Sequence, residues 1–568
     1  MSARSGAFNL GQSLHEAVAL QRQGRLREAE KIYARVLKAA PDNFDALNLL
    51  GAVKLQQGQI GEAQRLLSAA VKINPRAAGT WCNLGQALFA LKRAPDALEC
   101  LDKARALAPD DINILNAHAN VLVGLGRPQE ALAEFQQVLA RMPNNIDARL
   151  NGGLTRAMLG FPEQALADFD AALQLAPGHP AVLYNRGVAL LKLGRYAEAV
   201  DACDGALAAA PGHATAWLNR GRALSQLNRL DEAIVSYDKA LAIRKDYADA
   251  HFNNALALLT RGDYRRGFAE YEWRWRRTGM PAQRSRGKPL WLGEYPLARK
   301  TILLHAEQGL GDTIQFARYA PLVAASGAKV VLEVQAELQP LLRRLDGVAA
   351  VIARGETPPP FDVHCPLGSL PLALHTEPDT VPAQIPYLSA DAAKLAQWSA
   401  RLEALPRPWV AFAWSGNPSH DNDRNRSIAF ARLAPLFGPP SPAGEGRERA
   451  SFVSVQRELR SEDAAALAGA PRVMHLGAEL EDFSDTAAVL ALCDLVIAVD
   501  TAVVHLAGAM GRPVWVLLPF APDWRWTRDG DVTPWYPTAR LFRQTSLGDW
   551  DGVVARVADE LGRFAIRQ

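Results

Sequence analysis

Trp217-Leu-Asn-Arg-Gly221, followed by Ala233, Tyr237 and Ala240, is one copy of a pattern that runs through half of this chain. A step of 34 residues separates Pro41, Pro75, Pro109, Pro143, Pro177 and Pro211. Ala29, Ala63, Ala97, Ala131, Ala165, Ala199 and Ala233 keep the same step. So do two glycine registers: Gly24, Gly58, Gly126, Gly160 and Gly194 in one, and Gly51, Gly85, Gly153, Gly187 and Gly221 in the other. Gly admits a tight turn and Pro cannot continue a helix, so each unit is expected to be helix, turn at the Gly, second helix, then Pro. Such units stack into a solenoid, because one helix pair cannot bury its apolar face alone.

The spacing and the quoted copy resemble the tetratricopeptide repeat, which implies about eight units between residues 10 and 281. The ends are atypical, as capping requires: Lys245 stands where Pro is expected and Gly267 where Ala is expected. The sixth position of successive units carries Asn83, Asn151, Asn185, Asn219 and Asn253, interrupted by Ala117. An amide offers both a donor and an acceptor, so such a ladder can bind the main chain of an extended peptide whatever its sequence. The competing expectation is that these Asn residues only help the repeats to pack. Trp81, Trp217, Leu183-Tyr184 and Phe252 are expected between helices.

At 568 residues the chain exceeds one core and should divide. A net charge of +3, with 22% charged residues, gives no nucleic-acid footprint, and Trp273-Arg-Trp-Arg-Arg277 is expected to end the last repeat helix. Five cysteines without metal-like or disulfide-like spacing fit a reducing compartment. Met1 to Leu20 lacks a basic-then-apolar pattern, and Val489 to Val499 is too short to span a bilayer, so a soluble cytoplasmic protein is expected.

Helical periodicity stops in the Pro/Gly/Arg-rich stretch from 280 to 299, where Lys288 to Glu294 reads as extended. Beyond it, short apolar runs alternate with helical segments. One block holds Thr301–Ala306, Lys329–Val334, Val348–Ile352 and Phe361–His364. A second holds Trp409–Trp414, Phe452–Val455, Val473–Leu476, Leu495–Val499 and Val514–Leu518. Alternation of this kind predicts two parallel α/β lobes with a ligand at the strand carboxyl ends. The expected fold class is α plus α/β: a solenoid over 1–281, a linker over 282–298, a first lobe over 299–395 and a second over 396–568 whose last helix packs back across the lobes. Residues 441–449 read as a surface loop.

Three strand-to-helix turns carry chemistry. Leu495-Val-Ile-Ala-Val-Asp-Thr-Ala-Val-Val-His505 opens a helix near Ala502, whose free N–H groups, with the Thr501 hydroxyl and His505, suit a phosphate; Asp500 and Thr501 could also simply cap the helix. His305-Ala-Glu-Gln-Gly-Leu-Gly-Asp312 brings Gly309, Gly311 and two carboxylates, Glu307 and Asp312, to another turn. Trp414-Ser-Gly-Asn417 lets the backbone of Ser415, Gly416 and Asn417 approach a phosphate, with Arg424 or Arg426 to meet its charge. Gln456, the 481–486 loop and Pro522-Asp-Trp-Arg-Trp526 occupy further strand exits suited to base, ribose or sugar. The Trp residues at 524, 526 and 535 could equally be packing, and Arg540 and Arg543 could reach a phosphate or brace a closing segment. Asp421-Asn-Asp423 lacks the strand context of a metal triplet.

The turn at Asp500 to His505 resembles the nucleotide-sugar site of heptosyltransferase-like glycosyltransferases with the GT-B fold, and Gly311-Asp312 matches that family's Gly-Asp turn. As a whole the chain resembles bacterial tetratricopeptide-repeat-fused glycosyltransferases of this kind, including those that modify flagellin. The resemblance implies a metal-independent transferase without cofactor, in which Asp312 or Glu307 removes the proton of an acceptor hydroxyl. It implies nucleotide-sugar contacts from the three turns and an acceptor protein in the Asn-lined groove, with self-association open. Arg424 and Arg426 depart from the Lys common in that family. Transfer to lipopolysaccharide or another carbohydrate, or a repeat scaffold that binds nucleotide sugar without turnover, are the competing expectations.

Overall fold

A computed structural model describes residues 9–279, 287–419, 422–437 and 450–567. Residues 282–286 of the expected linker, the 441–449 loop and Asp421 lie outside the described residues. The chain forms two compact units, 1–212 and 213–568. The first holds six antiparallel helix pairs, from Leu10–Arg22 to Tyr196–Ala209.

Within each pair the sequence registers have separate jobs. The Ala register is fully buried where the helices meet. The second glycine register lets a bulky partner lie against bare backbone: a Cβ on Gly153 would stand 2.6 Å from the Phe169 ring and one on Gly51 2.7 Å from Leu67. The first register supplies left-handed turns, with φ of 75° at Gly24 and 74° at Gly126. Lys92 and Asn228 take that place in two units, at φ 64° and 56°.

The second unit begins with two more helix pairs, Ala214–Gln226 with Leu230–Ile243 and Ala248–Arg261 with Tyr264–Tyr271. The last helix does not continue through the basic cluster as expected. It gives way to a 3-10 turn, Glu272–Arg276, in which Arg274 is 1% exposed.

Two parallel sheets follow. The first has the order β3-β2-β1-β4, with β1 Thr301–His305, β2 Lys329–Val334, β3 Val348–Ala353 and β4 Val363–Pro366. Part of the expected linker is already on it, since Trp291 N donates to the His364 carbonyl at 2.9 Å and the Trp291 ring is buried.

The second sheet has the order β10-β9-β8-β5-β6-β7, with β5 Trp409–Ala413, β6 Ser451–Ser454, β7 Val473–His475, β8 Leu495–Val499, β9 Val514–Leu518 and β10 Ala539–Arg543. Counted within that lobe this is 3-2-1-4-5-6, the doubly wound order with its crevice between the first and fourth strands, here β5 and β8. Strand β10 was not anticipated. Its arginines serve the lobe itself: Arg540 pairs with Glu560 at 2.8 Å, and Arg543 Nε donates to the Gly530 carbonyl at 2.7 Å. The final helix, Trp550–Arg567, places Trp550, Val553, Val557 and Leu561 in a core made of second-lobe residues, rather than returning across both lobes. Helix Ala392–Leu402 runs through the expected lobe boundary, and Trp398 Nε1 donates to Asp485 at 3.0 Å.

Candidate active site

Both sheets reverse direction at a point that a ligand can use, and the predicted turns stand there. In the first lobe the reversal lies between β1 and β4. Glu307, just past β1, accepts from Gly368 N at 3.1 Å and from Arg274 Nη2 at 3.1 Å. A Cβ on Gly368 would stand 2.6 Å from the Glu307 carboxylate, so glycine is what permits the approach. Burial pushes Glu307 up to about 7; Arg274 opposes that shift and the Asp312 charge adds to it. Burial alone would lower Arg274, but Glu272 and Glu307 raise it above the usual guanidinium range.

Asp312 lies in the first turn of helix Leu310–Ala317. One carboxylate oxygen accepts from Gly309 N at 3.0 Å, and the other pairs with Arg525. Arg525 reaches over from the second lobe, binds Asp523 at 2.8 Å and also donates to Gln315. Burial would lower its pKa, yet Asp523 and Asp312 raise it. The Asp312 side chain is 24% exposed and that of Glu307 7%, which makes Asp312 the more accessible carboxylate.

At the second reversal, helix Ala502–Ala509 follows β8 and presents its first turn at the crevice. Thr501 is the N-cap residue but makes no side-chain cap, and its hydroxyl is buried without a hydrogen-bond partner. An orphaned hydroxyl at a helix N-terminus is a place for an anion oxygen. Arg426 donates to the Asp500 carbonyl at 3.1 Å, and its guanidinium lies where a Cβ on Gly416 would be, 2.6 Å away. Burial, then the Asp523 charge, pushes Asp500 up to about 6. Burial, then Arg525, Arg318 and Arg426, holds His505 well below its ordinary value, so its ring is neutral. That ring bonds Tyr536 Oη at 3.0 Å and stacks on Trp526. The two helix starts touch: a Cβ on Gly311 would stand 2.7 Å from the His505 ring and 3.4 Å from Ala502 Cα.

Asp312, Gly309, Gly311, Asp500, Thr501, Ala502, His505, Gly416 and Arg426 are thus gathered around one crevice. Other expected residues have partners or positions of their own. Gln456 Oε1 accepts from both Trp414 N and Ser415 N at 3.2 Å, so its carbonyl is committed. Asn417 caps its own turn at Ser419 N, 2.9 Å away, and Arg424 is exposed. Asp423 binds Ser427 Oγ at 2.7 Å and pairs with Arg460. Asp482 and Asp485 cap the helix Phe483–Leu492, and Trp524, Trp526 and Trp535 are core. Among the described residues no cluster of three or more His, Cys, Asp or Glu could hold a metal, and no helix is long and apolar enough to cross a membrane.

In the expected acceptor groove the side chains of Asn185 and Asn253 donate to carbonyls of their own helices, Ala181 at 2.8 Å and Asp249 at 2.7 Å. Asn219 is 6% exposed, while Asn83 and Asn151 are half-buried. Sequence reading missed the roles of Arg274, Arg525 and Gln315. Their only sequence signal is an arginine set among aromatics in each of two loops, and the partners lie far along the chain.

Residues 456–539 match the profile of glycosyltransferase family 9 (heptosyltransferase). Tetratricopeptide repeat profiles match 76–144, 116–180 and 150–214, a TPR repeat profile 221–262, and that of anaphase-promoting complex, cyclosome, subunit 3, residues 22–104. Protein FlbA of Caulobacter vibrioides is 30% identical over 338 residues, which are 55% of this chain and 54% of FlbA. The chain therefore spans about half the length of this curated relative. Similar solved structures include the APC/C hetero-tetramer Cut9-Hcn1 (TM-score 0.38, 19% identity, 46% of this chain and 52% of that one). Pseudomonas aeruginosa pilF is another (TM-score 0.34, 22% identity, 36% and 94%). The chain carries tetratricopeptide repeats followed by a glycosyltransferase family 9 domain.

Proposed function

We propose that this chain moves a sugar from a nucleotide-sugar donor to Ser or Thr hydroxyls of a protein acceptor held by the repeats, with flagellin as the first acceptor to test. On this reading residues 1–281 hold the acceptor, the lobe from 299 to 395 presents its hydroxyl, and residues 396–568 bind the donor without a metal in a GT-B arrangement. The observation that carries it is the meeting of a partly accessible carboxylate, Asp312, with the unpartnered Thr501 hydroxyl, a helix N-terminus and two cations, Arg525 and Arg426, across one crevice.

Asp312 takes the proton from the acceptor hydroxyl as that oxygen bonds to the anomeric carbon. The anomeric carbon–oxygen bond to the donor phosphate breaks, and its electron pair leaves with the nucleotide. The new phosphate charge meets the N–H groups of the helix at Ala502, the Thr501 hydroxyl, and Arg426 and Arg525. Arg525 holds Asp312 before the donor arrives, so exchanging that partner for phosphate frees the base. His505, being neutral, offers a hydrogen bond without repelling the cations.

Calorimetry with a panel of nucleotide sugars, followed by intact-mass analysis of acceptor proteins incubated with the productive donor, tests the proposal. One donor should bind, and a hexose- or heptose-sized mass should appear on the acceptor. Absence of binding across the panel rejects the donor assignment. Sugar appearing on lipopolysaccharide rather than on protein rejects the acceptor assignment.

A further inference from the structure

The end of the repeat array enters the first lobe at its strand exits. Arg274, in the 3-10 turn after the last repeat helix, is 1% exposed and donates to Glu307 at 3.1 Å, to Ser369 Oγ at 2.7 Å and to Glu272 at 2.6 Å. Tyr271, in the last repeat helix, exchanges hydrogen bonds with the Gln308 side chain, its hydroxyl lying 3.0 Å from Oε1 and 2.8 Å from Nε2. The Gln308 carbonyl accepts from Gln335 at 2.8 Å. The next residue, Gly309, donates to Asp312 at 3.0 Å. Two consecutive residues of the turn that leads to Asp312 are thus gripped by side chains from the repeats.

If this joint served stability alone, apolar side chains of similar size would serve at least as well, because desolvating a guanidinium and two carboxylates offsets most of their attraction. Elsewhere this joint does use apolar contacts. Tyr264 and Phe268 pack edge-on against Trp524 at 6.1 and 5.6 Å between centroids. Among the described residues the ionic contact of this joint, Arg274 with Glu307, falls on the turn that leads to Asp312.

We propose that Arg274 and Tyr271 are positioning residues of the transferase: the last repeat holds the Glu307–Gly309 turn, and through it Asp312, in the geometry that removes the acceptor proton. The proposal rests on the glycosyl-transfer reading above. Glu307 faces Arg274 of the 3-10 turn, Asp312 of the following helix and Gly368 N beyond β4, and Arg274 in turn binds Glu272 and Ser369. The turn is held when Glu307 is ionised, so turnover should rise with pH through about 7. Without Arg274 the same carboxyl ionises at higher pH.

The test compares pH–rate profiles of the full-length wild type, R274Q and R274K with a donor that the wild type turns over. R274Q should lower kcat at pH 7 by about 10- to 100-fold at nearly unchanged donor KM. It should also move the rising limb up by about one pH unit. R274K, which keeps the charge and loses the fork, should restore the limb and recover part of kcat. An unshifted limb in R274Q, with an active wild type, overturns the positioning role and leaves glycosyl transfer standing. A wild type that turns over no nucleotide sugar overturns glycosyl transfer itself. Should R274Q not fold, Y271F keeps the ring and removes only the hydroxyl; it should lower kcat about tenfold at constant KM. Unchanged kcat in Y271F overturns the proposal.

Discussion

The helix pairs upstream of Gly212 and the last pair before the sheets are built on the same template and differ in what they bury. In the upstream pairs the seam is Ala and Gly against Leu or Phe, as where Gly153 lies under Phe169, and the ion pairs between residues three apart stay on the surface. The Arg127–Glu130 pair, with both side chains about half exposed, is typical. In the last pair Gly267 replaces the seam Ala, and the chain then turns to bury Arg274 among carboxylates. The last repeat thus ends in a buried ion pair that reaches out of the array, from Arg274 to Glu307. Buried charge occurs in both regions; what differs is its reach, since His118 and Glu134 join the two helices of one upstream pair whereas Arg274 joins the end of the repeats to Glu307 past β1.

The largest expected effect belongs to the chemical end. D312A should lower kcat about 10²- to 10⁴-fold with donor affinity retained, measured by steady-state turnover and calorimetry. Unchanged turnover would remove Asp312 from its role. In the upstream array, G153A forces a methyl into the Phe169 ring and should destabilise the protein by about 1–3 kcal/mol in urea titration, with kcat per folded molecule preserved.

Two buried titratable groups sharpen the contrast by pH. His118, 4% exposed, would be lowered by burial but is raised overall by Glu134 at 2.8 Å and Asp102 at 3.1 Å; Arg105 also binds Glu134. Its folded pKa exceeds the unfolded one, so its contribution is full below about 6.5 and is lost as pH rises through the raised value. H118Q should therefore destabilise most at acid pH. Glu307, raised from 4.5 to about 7 by burial, destabilises the fold progressively as pH climbs through that interval. E307Q should flatten that decline while impairing turnover. Melting curves from pH 4.5 to 8 distinguish attraction in the first case from desolvation in the second. The smallest effect is K92G, which relieves a left-handed lysine in an otherwise glycine register and should stabilise by about 0.5–1 kcal/mol.

The repeats were legible because pitch, turn and seam each leave a residue at a fixed interval, and eight helix pairs stand among the described residues. Nine of the ten strands were legible as apolar runs. Strand β10 was not, because Ala539-Arg-Leu-Phe-Arg543 alternates charge with apolar residues at a sheet edge and reads as a brace. The three turns stand out in the sequence because glycine, carboxylate and hydroxyl cluster locally. Arg274 and Arg525 do not, since each acquires its meaning from a partner that only the folded chain supplies: Glu307 is 33 residues from Arg274 and Asp312 is 213 from Arg525. The bonds of Gln456 were hidden for the converse reason, since its position at a strand exit says nothing about the two backbone N–H groups that donate to its carbonyl.

The compact unit that holds both sheets starts at His213 and so includes two repeat pairs of its own. Recombination upstream of that point could exchange, lengthen or shorten the array while every residue from Arg274 to Arg525 stays in its original surroundings. Lineages that diversify such proteins should therefore vary freely in repeat number before this position and very little after it.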